Sequence, residues 1–252
     1  MARLAGKVII VTGAAGYVGQ VLARRLGEEG ARVVVCDLRD TSALAERVQE
    51  AGAEVLSLNV DVTSEAATLQ MARQTMQRFG RIDGLVNNAG QFLGPGMEPR
   101  SLMDVDVQVW DRTFSVNVKG PFLCTRAVFP FMREQRSGKV VNIGSGSWLH
   151  TSRGRLSVPH YSSSKAAVTG LTRALANELG EFGICINTLA PGTMPLTALE
   201  QDPATLPGAK ERALGRVGVP GDVAGTVVFL LSADSDFITG QMIVVNGGAE
   251  TW

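Results

Sequence analysis

The chain has 252 residues, 45% of them hydrophobic and 19% charged, which is ordinary for one large α/β domain or two small ones. Lys plus Arg and Asp plus Glu number 24 each, so the formal net charge is zero and the basic excess typical of nucleic-acid-binding proteins is missing. The three cysteines are dispersed and form no CxxC pair, which predicts reduced thiols and no metal site. The apolar run before Thr12 is too short for a signal peptide or a membrane span. We therefore expect a cytoplasmic protein with no membrane or nucleic-acid partner.

Short apolar runs alternate with helical patterns along the whole chain. The runs predict strands at Val8–Val11, Ala31–Cys36, Val55–Val60, Gly84–Val86, Lys139–Ile143, Ile184–Leu189 and Met242–Val245. The 3.6-residue periodicity predicts helices at Val18–Gly27, Leu44–Ala51, Glu65–Phe79, Asp106–Arg136, Tyr161–Gly180 and Gly221–Ser232. Alternation of this kind predicts a doubly wound parallel sheet with helices on both faces, a Rossmann-type α/β fold, in a single domain over residues 1–252.

The least regular segments are residues 91–105, 146–160 and 192–215, and each follows a predicted strand. The carboxyl ends of parallel strands lie at one edge of the sheet, where ligands bind in open α/β folds. We therefore expect these three segments to be the substrate loops.

A glycine-rich turn, Thr12–Gly19, separates the first strand from the first helix. Gly13 and Gly16 allow a tight turn, and backbone N–H groups at a helix N-terminus favour a pyrophosphate. This position between strand and helix predicts a dinucleotide site rather than a plain turn.

Asp37 follows the second strand, eighteen residues after Gly19 (37 − 19). A carboxylate there accepts hydrogen bonds from both ribose hydroxyls of the adenosine and repels a 2′-phosphate. No Lys or Arg precedes Gly16 within the turn, so the sequence favours NAD over NADP. Asp37 could alternatively cap the end of the strand. Arg39, a cation close to Asp37 in the sequence, leaves NADP as an alternative cofactor.

Tyr161 and Lys165 stand four residues apart at the start of a predicted helix, which places both side chains on one face. The ordinary pKa of a tyrosine is near 10, too high for a base at neutral pH. A lysine cation and an oxidised nicotinamide would both favour the phenolate, so we expect a lowered pKa for Tyr161. The pair alone is a common pattern that also describes surface residues.

Together with further motifs, this pair makes the chain resemble the short-chain dehydrogenase/reductase family along its whole length. The matching segments arrive in the family's order: Thr12–Gly19, Asp61-Val62, Asn87-Asn88-Ala89-Gly90, Asn117, Ser145, Tyr161 with Lys165, Pro191-Gly192 and Asn246-Gly247-Gly248. The resemblance implies NAD contacts from Gly13, Gly16, Tyr17, Val18, Asp37, Asp61, Val62, Asn88, Ala89, Gly90, Tyr161, Lys165, Pro191, Gly192 and Thr193.

The resemblance also implies a catalytic tetrad of Asn117, Ser145, Tyr161 and Lys165. Ser145 would hold the substrate oxygen, and Tyr161 would exchange its proton as hydride moves to or from the nicotinamide. Lys165 would bind the nicotinamide ribose and lower the pKa of Tyr161, and Asn117 would complete a proton relay toward solvent. Homotetramers built through the catalytic helices are a further implication.

Three departures from the family pattern leave alternatives. Tyr17 replaces a commoner glycine, which implies rearranged pyrophosphate contacts. Ser145 and Tyr161 are sixteen residues apart (161 − 145), a longer loop than the family's, which leaves Ser147 as an alternative holder of the substrate oxygen. The threonine expected after Pro191-Gly192 is displaced, so Thr193 and Thr197 are both candidates for the carboxamide contact.

Apolar side chains on the predicted loops indicate the substrate class. They predict a hydrophobic pocket for a bulky or aromatic secondary alcohol or its ketone, although each residue alternatively only packs its loop. The candidate substrate residues are Phe92, Ser147, Trp148, Met194 and Leu196. Arg153 and Arg155 either meet a substrate carboxylate or remain solvated. His150 and His160 lack a second ligand type at metal spacing, so we expect no metal.

The expected activity is therefore an NAD-dependent alcohol dehydrogenase or carbonyl reductase. The same motifs fit an NADP-dependent 3-oxoacyl reductase, which Asp37 argues against, and a sugar, polyol or dihydrodiol dehydrogenase. A non-catalytic dinucleotide sensor is the alternative from a different class. It would be expected to lack Tyr161 or Lys165, and this chain has both.

Overall fold

A computed structural model describes residues 2–92, 95–149 and 158–249 of the protein. Its strands are β1 (Val8–Thr12), β2 (Arg32–Asp37), β3 (Val55–Asn59), β4 (Gly84–Asn87), β5 (Gly138–Ile143), β6 (Ile184–Pro191) and β7 (Met242–Val245). All pair in parallel in the order β3-β2-β1-β4-β5-β6-β7. The order reverses between β1 and β4, which confirms the predicted doubly wound single domain.

Helices cover both faces of this sheet. They are α1 (Tyr17–Glu28), α2 (Ser42–Glu50), α3 (Glu65–Phe79), α4 (Val107–Phe114), α5 (Gly120–Gln135), α6 (Pro159–Gly180) and α7 (Pro220–Leu231). Buried residues of α1, α2 and α7 share one core layer, whereas those of α3, α5 and α6 share the other. Strand residues alternate between the layers: Ile9 and Val11 belong to the first, and Val8 and Ile10 belong to the second.

The prediction of one continuous helix over Asp106–Arg136 is wrong, because the structure has two α-helices there. α4 and α5 are separated by one π turn, Ser115–Lys119, in which Gly120 N–H bonds to Ser115 O. Pro121 has no N–H to donate to the carbonyl of Asn117 four residues earlier, so one α-helical hydrogen bond is lost at this point. The wider turn accommodates that loss, and π turns of this kind are frequent at functional sites.

The catalytic candidates Tyr161 and Lys165 lie in the first turns of α6. This helix begins at Pro159, two residues before the predicted start, with proline in the first helical position where a missing N–H costs least. The three segments expected to be substrate loops follow the carboxyl ends of β4, β5 and β6. Within the described ranges, no helix is both long and apolar enough to cross a membrane.

Candidate active site

The glycine turn approaches the end of β4 closely. Gly13 has φ of +64°, and a Cβ added there would lie 2.6 Å from the Ala89 Cα. A Cβ at Gly19 would lie 2.3 Å from the Gly13 carbonyl oxygen. Side chains are therefore excluded at both positions, because the turn packs against its own helix and against the next strand.

The N-terminus of α1 faces the same space. No described side chain caps it, and its first turn contains no acidic residue. Its first N–H groups are therefore available to an anion, as the end of a helix dipole favours. Tyr17 begins the helix with its hydroxyl buried and unpartnered, and Val18 packs its side chain toward the core. These features fit the pyrophosphate of a dinucleotide.

Asp37 ends β2 and is only 8% exposed. Its Oδ2 accepts the N–H of Ala15 in the glycine turn at 3.0 Å, and its Oδ1 accepts the N–H of Arg39 at 3.0 Å. The Arg39 guanidinium also contacts both carboxylate oxygens, at 3.3 and 3.4 Å. The carboxylate therefore links the glycine turn to the end of β2. It does not only cap its own strand, because it also accepts the Ala15 N–H from the glycine turn.

The predicted adenine contacts follow β3. The Asp61 Oδ1 accepts hydrogen bonds from the Thr63 N–H at 2.8 Å and from the Thr63 hydroxyl at 2.7 Å. Val62 is buried against the start of α5, where a Cβ on Gly120 would lie 2.9 Å from the Val62 Cγ2. Both residues follow Val60, whose N–H donates to the Asp37 carbonyl at the end of β2 at 3.0 Å.

The end of β4 is tied to the glycine turn by an amide. The Asn88 Nδ2 donates to the carbonyls of Thr12 at 3.0 Å and Gly13 at 2.9 Å. The Thr12 hydroxyl accepts from the N–H groups of Asn88 and Ala89 at 3.2 and 3.1 Å. Gly90 follows, and a Cβ there would be 3.5 Å from the Lys165 Nζ. The predicted dinucleotide turn and the catalytic lysine therefore lie at the same sheet edge.

The turn after β6 completes that edge. Pro191 is buried, and the Gly192 N–H donates to the Val245 carbonyl at 2.9 Å. A Cβ at Gly192 would lie 2.8 Å from the Asn246 Cα, so the two segments pack closely. Thr193 and Thr197 are both exposed, which leaves both as candidates for a carboxamide contact.

Asn117 lies in the π turn and is completely buried. Its Oδ1 accepts the Gln91 N–H at 2.7 Å, and its Nδ2 donates to the Gln91 carbonyl at 3.2 Å and to the Ser164 Oγ at 3.0 Å. The side-chain amide is therefore fully occupied by the protein. It connects the loop after β4 with the first turns of α6.

Ser145 and Tyr161 are brought together by the structure. The Ser145 side chain lies close enough to the Tyr161 hydroxyl to lower the pKa of that phenol through hydrogen bonding. The Ser145 Oγ also accepts the Ser147 N–H at 3.1 Å. The hydroxyl of Ser147 instead lies 3.4 Å from the Ser162 Oγ, and Ser147 is exposed. Of the two serines, only Ser145 contacts the tyrosine.

Burial dominates the ionisation of both candidate groups on α6. It raises the pKa of Tyr161, against a smaller lowering by the Ser145 hydrogen bond. It lowers the pKa of Lys165 from 10.5 to about 8. The Lys165 ammonium donates to the Ile143 carbonyl at 2.8 Å and lies 5.8 Å from the centroid of the Tyr161 ring. The protein alone therefore does not produce the expected lowering of the Tyr161 pKa.

The candidate substrate residues surround this pair unevenly. The Phe92 ring lies 5.0 Å from the Tyr161 ring, and Trp148 is half-buried with its Nε1 buried and unpartnered. Met194 packs toward the core, whereas Leu196 is about half exposed. Of these apolar side chains, Phe92 contacts the Tyr161 ring directly. Arg153, Arg155 and His150 lie outside the described residues.

His160 lies in the first turn of α6 and is fully buried. Burial lowers its pKa, with a further lowering from the nearby charge of Arg100 and an opposing contribution from the Gly96 backbone. A neutral imidazole in this turn accounts for the environment. Across the described ranges, no group of three His, Cys, Asp or Glu side chains is placed to hold a metal ion.

Two contributions were missed by the sequence interpretation. The Ile143 carbonyl holds the lysine, and a backbone carbonyl carries no residue-type pattern that identifies it. Ser164 joins Asn117 to the Tyr161 backbone, and its position three residues after Tyr161 does indicate a shared helix face. The arrangement as a whole offers a proton donor and acceptor, a hydroxyl beside it, a buried cation and an adjacent dinucleotide-shaped turn.

Known proteins resemble this chain over nearly its full length. A family model described as Enoyl-(Acyl carrier protein) reductase matches residues 13–250. The (2S)-[(R)-hydroxy(phenyl)methyl]succinyl-CoA dehydrogenase subunit BbsD of Thauera aromatica is 40% identical over 250 residues, which cover 96% of each chain. L-fucose dehydrogenase of Oryctolagus cuniculus is 37% identical over 257 residues, which cover 99% of this chain and 87% of that one.

A solved structure agrees with these relatives. The crystal structure of a short-chain type dehydrogenase/reductase from Mycobacterium marinum is 31% identical, with a TM-score of 0.88, and the match covers 99% of this chain and 97% of that one. The seven-stranded parallel sheet order agrees with that structural likeness. The protein is an oxidoreductase that belongs to the short-chain dehydrogenase/reductase family.

Proposed function

We propose that the protein is an NAD-dependent oxidoreductase that interconverts a bulky or aromatic secondary alcohol and its ketone. The observation that carries the proposal is the position of the Tyr161 ring 5.8 Å from the buried Lys165 ammonium, on the same sheet edge as the glycine turn. A nicotinamide cofactor, when bound, supplies the group that accepts or donates the hydride.

The protein side of the reaction is a proton transfer at the Tyr161 hydroxyl. In alcohol oxidation the phenolate takes the proton of the substrate hydroxyl, and in ketone reduction the phenol returns it. Ser145 holds the substrate oxygen beside that hydroxyl. Lys165 binds the nicotinamide ribose through its ammonium. Asn117 contributes to a proton relay through its backbone carbonyl. Because Pro121 has no N–H, this carbonyl receives no α-helical hydrogen bond from position 121 and can accept one in the relay.

NAD specificity rests on Asp37. Its carboxylate is held at the end of β2 by the Ala15 N–H, where it meets a ribose with hydroxyls and repels a 2′-phosphate. The Arg39 guanidinium supports a second candidate, an NADP-dependent reductase, because it is a cation beside the same site. The residues Gly13, Gly16, Tyr17, Val18, Asp61, Val62, Asn88, Ala89, Gly90, Pro191, Gly192 and Thr193 are proposed to complete the cofactor site.

The aromatic substrate class is supported by Phe92, whose ring packs on that of Tyr161. The name of the Thauera aromatica relative describes a substrate with a hydroxy(phenyl)methyl group, which is a secondary alcohol on an aromatic ring. The same name describes an acyl-CoA thioester, so a hydroxyacyl thioester is the second substrate candidate. The Oryctolagus cuniculus relative is named L-fucose dehydrogenase, so a sugar is the third substrate candidate.

We further propose that the protein is a homo-oligomer in a reducing compartment such as the cytoplasm. An apolar groove formed by Phe114, Val118, Phe122 and Leu171 supports self-association, because Phe122 is 40% exposed there. Val168 and Leu179, which lie on the same helix as Leu171, are instead core residues. The free, buried Cys36, Cys124 and Cys185 support a reducing environment.

The experiment is an initial-rate assay of nicotinamide reduction. Purified protein is tested with NAD or NADP against 1-phenylethanol-type alcohols, a 3-hydroxyacyl-CoA and a set of sugars and polyols. We expect turnover with NAD and an aryl secondary alcohol. Preference for NADP refutes the assignment of Asp37, turnover only with the thioester replaces the substrate class, and turnover with none of them contradicts the proposed function.

A further inference from the structure

Ser164 lies between the proposed catalytic residues Tyr161 and Lys165 and is completely buried. Its Oγ is 2.7 Å from the carbonyl oxygen of Tyr161 and 3.0 Å from the Nδ2 of Asn117. The hydroxyl therefore contacts both the first turn of α6 and the π turn.

The direction of these hydrogen bonds is fixed by their partners. A carbonyl oxygen only accepts, so the Ser164 hydroxyl donates to Tyr161 and its oxygen accepts the N–H of Asn117. The backbone N–H and carbonyl of Gln91 orient the Asn117 amide, because one must face Oδ1 and the other Nδ2. A single directed chain thus runs from Asn117 through Ser164 to Tyr161.

A local bond from a hydroxyl to its own helix is common and by itself indicates nothing. Thr75 in α3 donates to the Met71 carbonyl at 2.8 Å, and Thr68 donates to the Glu65 carbonyl at 2.9 Å. Ser164 differs because its oxygen also accepts from another element. Its hydroxyl therefore joins three segments: the loop after β4, the π turn and the start of the catalytic helix.

We propose that Ser164 is a positioning residue, which holds the first turn of α6 so that the Tyr161 hydroxyl meets Ser145. The inference rests on the proposed function, in which that hydroxyl exchanges a proton with substrate. Without the serine hydroxyl, one N–H of the buried Asn117 amide loses its partner and the Tyr161 carbonyl loses its cross-link to the π turn. The turn then relaxes and the hydrogen bond between Tyr161 and Ser145 lengthens.

The consequence for ionisation has a definite sign. The Ser145 hydrogen bond lowers the pKa of Tyr161, so weakening it raises that pKa. Alcohol oxidation needs the phenolate, and its rate profile therefore moves to higher pH. A residue that only stabilises the fold would not move this profile.

The kinetic test compares Ser164→Ala with Ser163→Ala, since Ser163 is the exposed neighbour in the same helical turn. For Ser164→Ala we expect a roughly 10-fold or larger fall in kcat, because small misplacements of reacting groups are costly. We also expect a pH midpoint higher by about half a unit, with the KM for NAD nearly unchanged. Ser163→Ala should match the wild type in all three quantities. Thr75→Val removes a buried hydroxyl far from the site, and should lower Tm without moving the pH profile.

A second measurement does not depend on turnover. The chain has only two tyrosines, Tyr17 and Tyr161, so Cζ-labelled tyrosine gives two NMR signals, assigned with Tyr17→Phe. In Ser164→Ala the Tyr161 signal should move and the Tyr17 signal should stay. This NMR measurement tests the inference even if the wild-type protein turns over no substrate. Absence of turnover would refute the proposed function but not the positioning role of Ser164.

An unmoved Tyr161 signal in Ser164→Ala overturns the inference, as does a pH profile that matches that of Thr75→Val. Should Ser164→Ala fail to fold, Ser164→Cys takes its place, because it keeps the volume and replaces a strong hydrogen-bonding hydroxyl with a weak thiol. The same movement of the Tyr161 signal is then expected, and a wild-type signal again overturns the inference.

Discussion

Replacing Lys165 with methionine is expected to stabilise the protein at neutral pH while removing a proposed catalytic group. Lys165 is only 5% exposed, and burial lowers its pKa from 10.5 to about 8. That difference corresponds to roughly 3 kcal/mol of destabilisation at pH 7, where the unfolded chain holds the charge in water. The substitution also leaves the Ile143 carbonyl without its donor, at a cost of about 1–3 kcal/mol. The net gain in free energy of unfolding is therefore roughly 0–2 kcal/mol.

The pH dependence of this gain is more specific than its size. Between pH 8 and 10.5 the unfolded wild-type chain binds a proton at Lys165 that the folded protein has released. The free energy of unfolding of the wild type consequently rises with pH in that window, and the variant lacks this rise. The advantage of Lys165→Met should shrink by about 2 kcal/mol between pH 7 and pH 9.5.

Urea unfolding followed by circular dichroism measures both quantities, at one protein concentration so that self-association does not differ between samples. Lys210→Met is the matched control, because Lys210 is exposed to solvent whereas Lys165 is buried. Its difference from the wild type should be the same at both pH values. A Lys165→Met advantage that stays constant or grows with pH would refute the account of the buried ammonium.

Three further predictions concern the cofactor and substrate sites. Asp37→Ser should lower the preference for NAD over NADP in kcat/KM by roughly 10-fold or more, and an unchanged ratio would show that the carboxylate does not select the ribose. Ser145→Ala should lower kcat by roughly 100-fold while Ser147→Ala stays near the wild type; the reverse ranking would give the substrate oxygen to Ser147. Gly19→Ala should lower Tm and weaken NADH binding in calorimetry, because its Cβ would lie 2.3 Å from the Gly13 carbonyl oxygen; undiminished binding contradicts the proposed role of the turn.

The sheet and its binding edge were predictable because the sequence period specifies both. Side chains alternate in direction along the fully buried strand β1, so Ile9 and Val11 lie in one layer and Val8 and Ile10 in the other. Parallel strands then bring their carboxyl ends together, which places the glycine turn beside the loops after β4, β5 and β6. Neither step needs knowledge of side-chain contacts.

The π turn and the role of Ser164 were not predictable in the same way. Apolar periodicity continues across Ser115–Lys119, and a proline such as Pro121 does not by itself predict a π turn, since Pro130 lies inside α5. Ser164 stands in a run of three serines that are alike in sequence. Only tertiary packing separates them, since Ser162 is half-buried, Ser163 is exposed and Ser164 is buried.

The ionisation of Tyr161 in the protein without its cofactor could not be predicted from the sequence. The spacing to Lys165 indicates a cation nearby, and the lysine does lie over the ring. Spacing does not report burial, however, and burial raises the pKa of the phenol while lowering that of the ammonium. The prediction therefore needed the depth of both groups as well as their separation.

The most direct test of the central claim is the turnover of Tyr161→Phe with NAD and the best alcohol of the wild type. The ring contact with Phe92 is retained in this variant, and only the hydroxyl is lost. We expect kcat to fall by at least about 100-fold while the affinity for NADH, measured by calorimetry, remains close to that of the wild type. A variant that binds NADH normally and keeps most of its turnover would contradict Tyr161 as the acid/base.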